Sequence, residues 1–76
     1  MHLLFGPRGA RDAQLSLIDA GGRLVRGLLR GPMRAGPHEV GWDCLDDAGH
    51  PVPAGLYLAR LTSDGVVSSR KLVVLR

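Results

Sequence analysis

The chain has 76 residues, 45% hydrophobic and 22% charged, with ten Lys and Arg against seven Asp and Glu for a net charge of +3. A chain this short buries only about 60% of the surface its unfolded form exposes, which limits it to one domain with a thin core. Its single cysteine excludes an internal disulfide and supplies no metal site by itself, so neither usual staple of a small fold is present.

The basic residues are scattered rather than gathered on one element, and there is one each of Phe, Tyr and Trp. Nucleic-acid binding calls for a basic stripe interleaved with aromatics, so the charge reads instead as ordinary surface arginine. No stretch approaches the roughly 20 apolar residues of a membrane span. The opening Met1-His2-Leu3-Leu4-Phe5 is too short for the apolar part of a signal peptide, so any export signal is expected elsewhere in a longer parent chain.

In chain order, residues 3–5 form a brief apolar run stopped by Gly6 and Pro7, the remnant of a first strand. Residues 8–12 read as a polar turn. Residues 14–18 alternate, with Leu15 and Leu17 on one face and Gln14, Ser16 and Ile18 on the other. Asp19-Ala20-Gly21-Gly22 signals a turn between antiparallel strands, and residues 24–29 form the next strand. A helix over 23–30 also fits Leu24, Val25, Leu28 and Leu29, but glycines at 21, 22, 27 and 31 leave it too short and interrupted to stand. With two prolines and two glycines, residues 31–37 read as a loop.

Residues 36–57 organise the rest, holding the only Trp, the only Cys, four of the seven acidic residues and three of the five prolines. Residues 38–42 alternate, with Val40 and Trp42 on the buried face, and Trp42 anchors the core. Residues 43–49 form a tight acidic turn. Pro51 and Pro53 keep their segment out of a central strand, and Gly55 opens a strand over 56–61. Asp64-Gly65 marks a hairpin, and residues 66–75 form the last strand. Leu72-Val73-Val74-Leu75 is apolar on both faces, which predicts that it lies inside a sheet or under another element. Six or seven short strands without a convincing helix give an all-β, Ig-like or fibronectin-III-like antiparallel sandwich.

Chemistry-bearing residues are sparse. Asp43, Asp46 and Asp47 with Gly49 offer carboxylates on one turn, as calcium requires, but their spacing departs from the EF-hand pattern and the turn-and-cap reading is preferred. Cys44 and His50 share that turn as a conceivable nucleophile pair, without an orienting third residue. His2 and His38 lie far from it in sequence. Arg23 and Arg26 flank a strand, either gripping an anionic partner or, by preference, forming a solvated face. Tyr57 reads as a core aromatic beside Trp42 with its hydroxyl at the rim. No serine stands in a hydrolase elbow and no Gly-rich loop opens a helix, so no catalytic residue or cofactor is assigned.

The order of these pieces resembles the Ig-like domain of flagellar hook-capping proteins, the FlgD Ig-like family, and the related C-terminal sorting domains of type IX secretion. The family pattern of strand, D-x-x-G-R-x-V, H-x-V-x-W-D, acidic turn, G-x-Y and a basic last strand is met by Asp19, Gly22, Arg23 and Val25. It continues through His38, Val40, Trp42 and Asp43, then Gly49, Gly55 and Tyr57, and ends on Arg70-Lys71-Leu72-Val73-Val74-Leu75. Two departures stand out. The first strand is shortened, leaving one sheet edge open, and Cys44 replaces the usual Gly after Trp-Asp, which predicts a negative-φ version of the turn.

The resemblance implies a non-enzymatic structural or interaction module. The reading preferred here is a C-terminal sorting or anchoring domain of an exported or cell-surface protein. The alternatives are a flagellar hook-cap assembly domain or a stand-alone protein- or glycan-binding module that dimerises through an edge strand. The implied partner, whether the parent polypeptide, another protein or a second copy, pairs with the open edge.

Overall fold

The computed structural model describes residues 1–6 and 10–75, without the side chains at 10 and 11. Among the described residues six strands run β1 (His2–Phe5), β2 (Ala10–Asp19), β3 (Leu24–Met33), β4 (His38–Gly41), β5 (Gly55–Ser63) and β6 (Val66–Val74). They form a two-stranded antiparallel sheet, β1-β4, and a four-stranded antiparallel sheet in the order β3-β2-β5-β6. The architecture is the expected Ig-like antiparallel sandwich.

Trp42, Leu17, Val52, Tyr57 and Val74 make the buried cluster between the sheets, with Leu3, Val25, Leu28, Ala59 and Leu72 packed against it. Leu17 and Tyr57 come from the two central strands of the large sheet, whereas Trp42 follows β4 directly. The Trp42 backbone exchanges hydrogen bonds with Met1, at 2.6 Å and 2.9 Å, and this fixes where the small sheet sits on the core. Burying one indole removes on the order of 150–250 Å² from water, a large share for so small a domain.

The Asp64-Gly65 turn closes β5 onto β6 as the sequence predicts. Asp64 and Gly65 have φ of 47° and 85°, the paired positive values of a two-residue turn that matches strand twist. The helix alternative over 23–30 fails, because residues 24–30 lie within β3.

Several expectations need correction. β3 continues through Gly31 and Pro32 to Met33, where a loop over 31–37 was expected. As an outer strand it forms a ladder with β2 alone, and an edge strand tolerates a proline whose missing N–H faces away from the ladder. β2 starts at Ala10, so residues 10–12 are strand rather than turn; residues 8 and 9 of that predicted turn lie outside the described residues.

Ile18 and Ser16 stand on the face opposite Leu15 and Leu17, yet they are only 2% and 6% exposed. β2 lies between β3 and β5, with Leu24 and Leu58 opposite Ile18 and Arg60 opposite Ser16, and two register shifts tighten the local coil. The neighbouring side chains thus shield both faces of the central strand. Conversely, residues 72–75 are not enclosed: β6 is an edge strand, and Val73 and Leu75 are 54% and 85% exposed while Val74 alone is buried.

Candidate functional site

Of the family-like residues, Asp19, Arg23, Val25, Gly55 and Tyr57 line a concavity of about 720 Å³ at one end of the sandwich, whereas Gly22, Val40, Trp42, Asp43 and Gly49 do not. The walls of the concavity are the β2–β3 turn with Asp19 and Arg23, the acidic turn with Asp46 and Asp47, and the segment running into Gly55 and Tyr57. Each wall is held by hydrogen bonds that begin in its own sequence.

In the β2–β3 turn the Asp19 carboxylate accepts the backbone N–H groups of Gly21 at 3.0 Å and Arg23 at 2.9 Å, and the Arg23 Nε at 3.2 Å. The Arg23 amide is the chief cause that holds the Asp19 carboxyl below the usual aspartate range; desolvation opposes it, and the charge of the Arg23 guanidinium, the Gly21 amide and the guanidinium hydrogen bond add to the lowering. Gly22 has φ of 86°, a conformation that an L-residue adopts only at a cost. Aspartate, glycine and arginine at this spacing thus make a self-closed turn.

The acidic turn is built the same way. Asp46 Oδ1 accepts the amides of Ala48 and His50 at 3.0 Å and 2.9 Å, and Asp43 Oδ1 accepts that of Leu45 at 3.1 Å. Backbone bonds from Asp46 to His50, from Gly49 to Asp46 and from Val52 to Cys44 close the loop, with Leu45 bridging Pro51. Gly49, at φ 84°, supplies the reversal. The Trp42 indole N–H donates to the Leu45 carbonyl at 2.9 Å, so the core anchor and the turn are one unit.

Cys44 overturns the negative-φ expectation: its φ is 61°, in the left-handed region that the glycine usual at this position occupies freely. The chain keeps the backbone geometry and accepts its cost in a half-buried cysteine that packs against the core cluster.

The turn is fastened to the outer edge of β3. Asp47 donates its N–H to the Val25 carbonyl at 3.0 Å and accepts the Gly27 amide on Oδ1 at 3.1 Å, acting as a one-residue surrogate strand. Arg26 Nη1 reaches the carbonyls of Asp46 at 3.2 Å and Leu45 at 3.4 Å and lies 3.5 Å from Asp43 Oδ1. The solvated-face reading of Arg26 is therefore replaced by an internal one. Sequence reasoning missed both fastenings, and Gly27 is no signal of them, since a Cβ there would meet nothing within 4 Å.

Tyr57 lies edge-on to Trp42 with ring centres 5.8 Å apart, and its hydroxyl donates to the Pro53 carbonyl. That upstream bond is the tyrosine-corner arrangement of Ig-like sandwiches. Gly55 opens β5, and Val25 and Val40 are half-buried in β3 and β4.

The structure does not bring the remaining candidates together. No hydrogen bond joins Cys44 to His50, whose backbone amide serves the Asp46 carboxylate. His2 pairs with Glu39 at 2.8 Å, whereas His38 meets the Arg34 carbonyl at 2.7 Å and stacks on Phe5. Among the described residues, no group of three or more His, Cys, Asp or Glu is placed to hold a metal ion. Asp43, Asp46 and Asp47 each direct an oxygen at a backbone amide, so the turn's carboxylates act as caps. The arrangement binds its own backbone and presents no paired acid and base.

Comparison with known proteins agrees with this layout. Residues 4–65 match the FlgD Ig-like domain family. That span contains every family-like residue from Asp19 to Tyr57 and stops before the 70–75 block. No protein of curated function matches the chain. A crystal structure of FLGD from P. aeruginosa superposes with a TM-score of 0.67 at 22% identity, covering 96% of this chain and 58% of that one. The chain thus spans a little over half the length of that structural relative. These matches support the flagellar alternative better than the sorting-domain reading.

Proposed function

The chain belongs to the FlgD Ig-like domain family, and from that premise we propose that it is a non-enzymatic structural module in flagellar hook assembly, working as part of an exported protein. The family match over residues 4–65 carries this reading. The form of the motif-bearing end supports it. Asp19, Asp43, Asp46, Asp47, Arg26, Trp42 and Tyr57 spend their polar groups on the domain's own backbone, which suits a rigid spacer more than a reactive site. A module of this kind contributes through fixed shape and free sheet edges.

The test is genetic. Residues 1–76 are deleted in frame in the bacterium that encodes them, and its basal bodies are viewed by electron microscopy beside a motility assay. The expected result is non-motile cells with missing or stunted hooks, restored by the intact segment and equally by C44G. Normal hooks and full motility in the deletion strain would overturn the proposal.

A further inference from the structure

The two sheets are unequal, and the shortfall is on one side. β1 and β4 are faced by four strands, and a slot of about 270 Å³ opens between β1 and β6. Its apolar lining includes Leu3, Leu4, Phe5, Leu15, Leu61 and Leu72. Met1 exchanges two backbone bonds with Trp42, so the alternation of an antiparallel ladder makes Leu3–Val40 and Phe5–His38 the next bonded pairs. The N–H and C=O groups of His2 and Leu4 therefore point away from β4, toward the slot side.

Charge adds direction. Arg70 on β6 pairs with Ala59 and so shares the inward face with the core strands, yet it is exposed and meets no acidic side chain among the described residues. The opposite edge differs, because Asp47 already occupies the outer backbone groups of Val25 and Gly27 on β3.

We propose that the slot between β1 and β6 is a strand-acceptor site for an extended segment of a partner protein. The segment adds to β1 as a third strand through His2 and Leu4, sets alternate apolar side chains on Leu15, Leu61 and Leu72, and brings a carboxylate to Arg70. Main-chain pairing supplies the attachment and the alternating side chains supply the choice of partner. The inference stands on the two strand edges and does not depend on the flagellar reading.

The probes are two soluble seven-residue peptides of alternating Val and Thr, one with a central Glu and one with a central Lys, titrated into the 76-residue chain by NMR. The Glu peptide is expected to bind, to slow exchange of the Leu4 amide, and to bind at least about tenfold more tightly than the Lys peptide, because a like charge facing Arg70 costs more than one decade of affinity. R70E should reverse that preference. L4P removes the outward N–H while leaving Leu3 and Phe5 to β4, and should abolish binding with the strand pattern intact in the amide spectrum. Should L4P fail to fold, the preference reversal in R70E decides alone. Absence of binding by both peptides, protection appearing on β6 but not at Leu4, or unchanged preference in R70E would overturn the proposal. So would Leu4 protection that rises with protein concentration alone, since the occupant would then be a second copy.

Discussion

Asp47 and Gly27 meet across the outer edge of β3: the carboxylate accepts the Gly27 amide at 3.1 Å while the Asp47 amide holds the Val25 carbonyl at 3.0 Å. One residue, through its amide and its side chain, thereby closes a stretch of sheet edge that would otherwise present unpaired groups. Replacing Asp47 by Ala should cost about 1 kcal/mol, the usual worth of a carboxylate on a backbone amide at a cap. Asn keeps the accepting oxygen and should cost less. Urea denaturation reads both, with the slope unchanged if only this contact is lost.

Trp42 combines packing with a hydrogen bond, and two substitutions separate them. W42F removes the bond to the Leu45 carbonyl and part of the ring, which should cost about 1–3 kcal/mol. W42A opens a cavity in the middle of the cluster and should cost about 3–5 kcal/mol, enough to unfold much of a small domain at room temperature. Circular dichroism at 25 °C distinguishes a weakened fold from a lost one.

Cys44 at φ 61° gives an ordering that backbone chemistry dictates. C44G relieves a left-handed L-residue, so the melting temperature should hold or rise despite the lost side-chain contact. C44V places a β-branched residue there and should destabilise by about 1–3 kcal/mol. A melt in which Val exceeds Gly would show that side-chain packing, and not φ, governs the site.

Much of this arrangement is legible in the sequence wherever one local signal dictates the outcome. Asp64-Gly65 announces its turn, and the alternation at Val40 and Trp42 announces the buried face. Asp19, Gly22 and Arg23 stand at the spacing their turn requires. What the sequence hid depends on neighbours brought in from elsewhere. Ile18 falls by period two on the face opposite Leu15 and Leu17, and its burial there comes from Leu24 and Leu58 on adjoining strands. The 72–75 run reads as enclosed, but strand order puts β6 at the edge. Arg26 and Asp47 look like ordinary charges until the chain folds and sets the acidic turn against β3, 19 to 20 residues away.

Acid should loosen the β2–β3 turn. The Asp19 carboxyl is held below its ordinary value in the folded state, so its contribution to stability is complete above the unfolded aspartate pKa. It is lost as pH falls through the lowered folded value. The low-pH arm of the stability curve should be shallower in D19N than in the parent chain, with little difference at neutral pH beyond a constant offset. An unchanged acid arm would mean that Asp19 titrates alike in both states.

The most direct measurement is native-state amide exchange along β1 and β3 in the isolated 76-residue chain. Leu3 and Phe5, bonded to β4, and Gly27, held by Asp47, should exchange slowly relative to their intrinsic rates, whereas Leu4 should exchange almost freely. That pattern is the signature of a sandwich closed along β3 by its own acidic turn and open along β1. Strong protection of Leu4 in the isolated chain at all concentrations, or a freely exchanging Gly27, would contradict it.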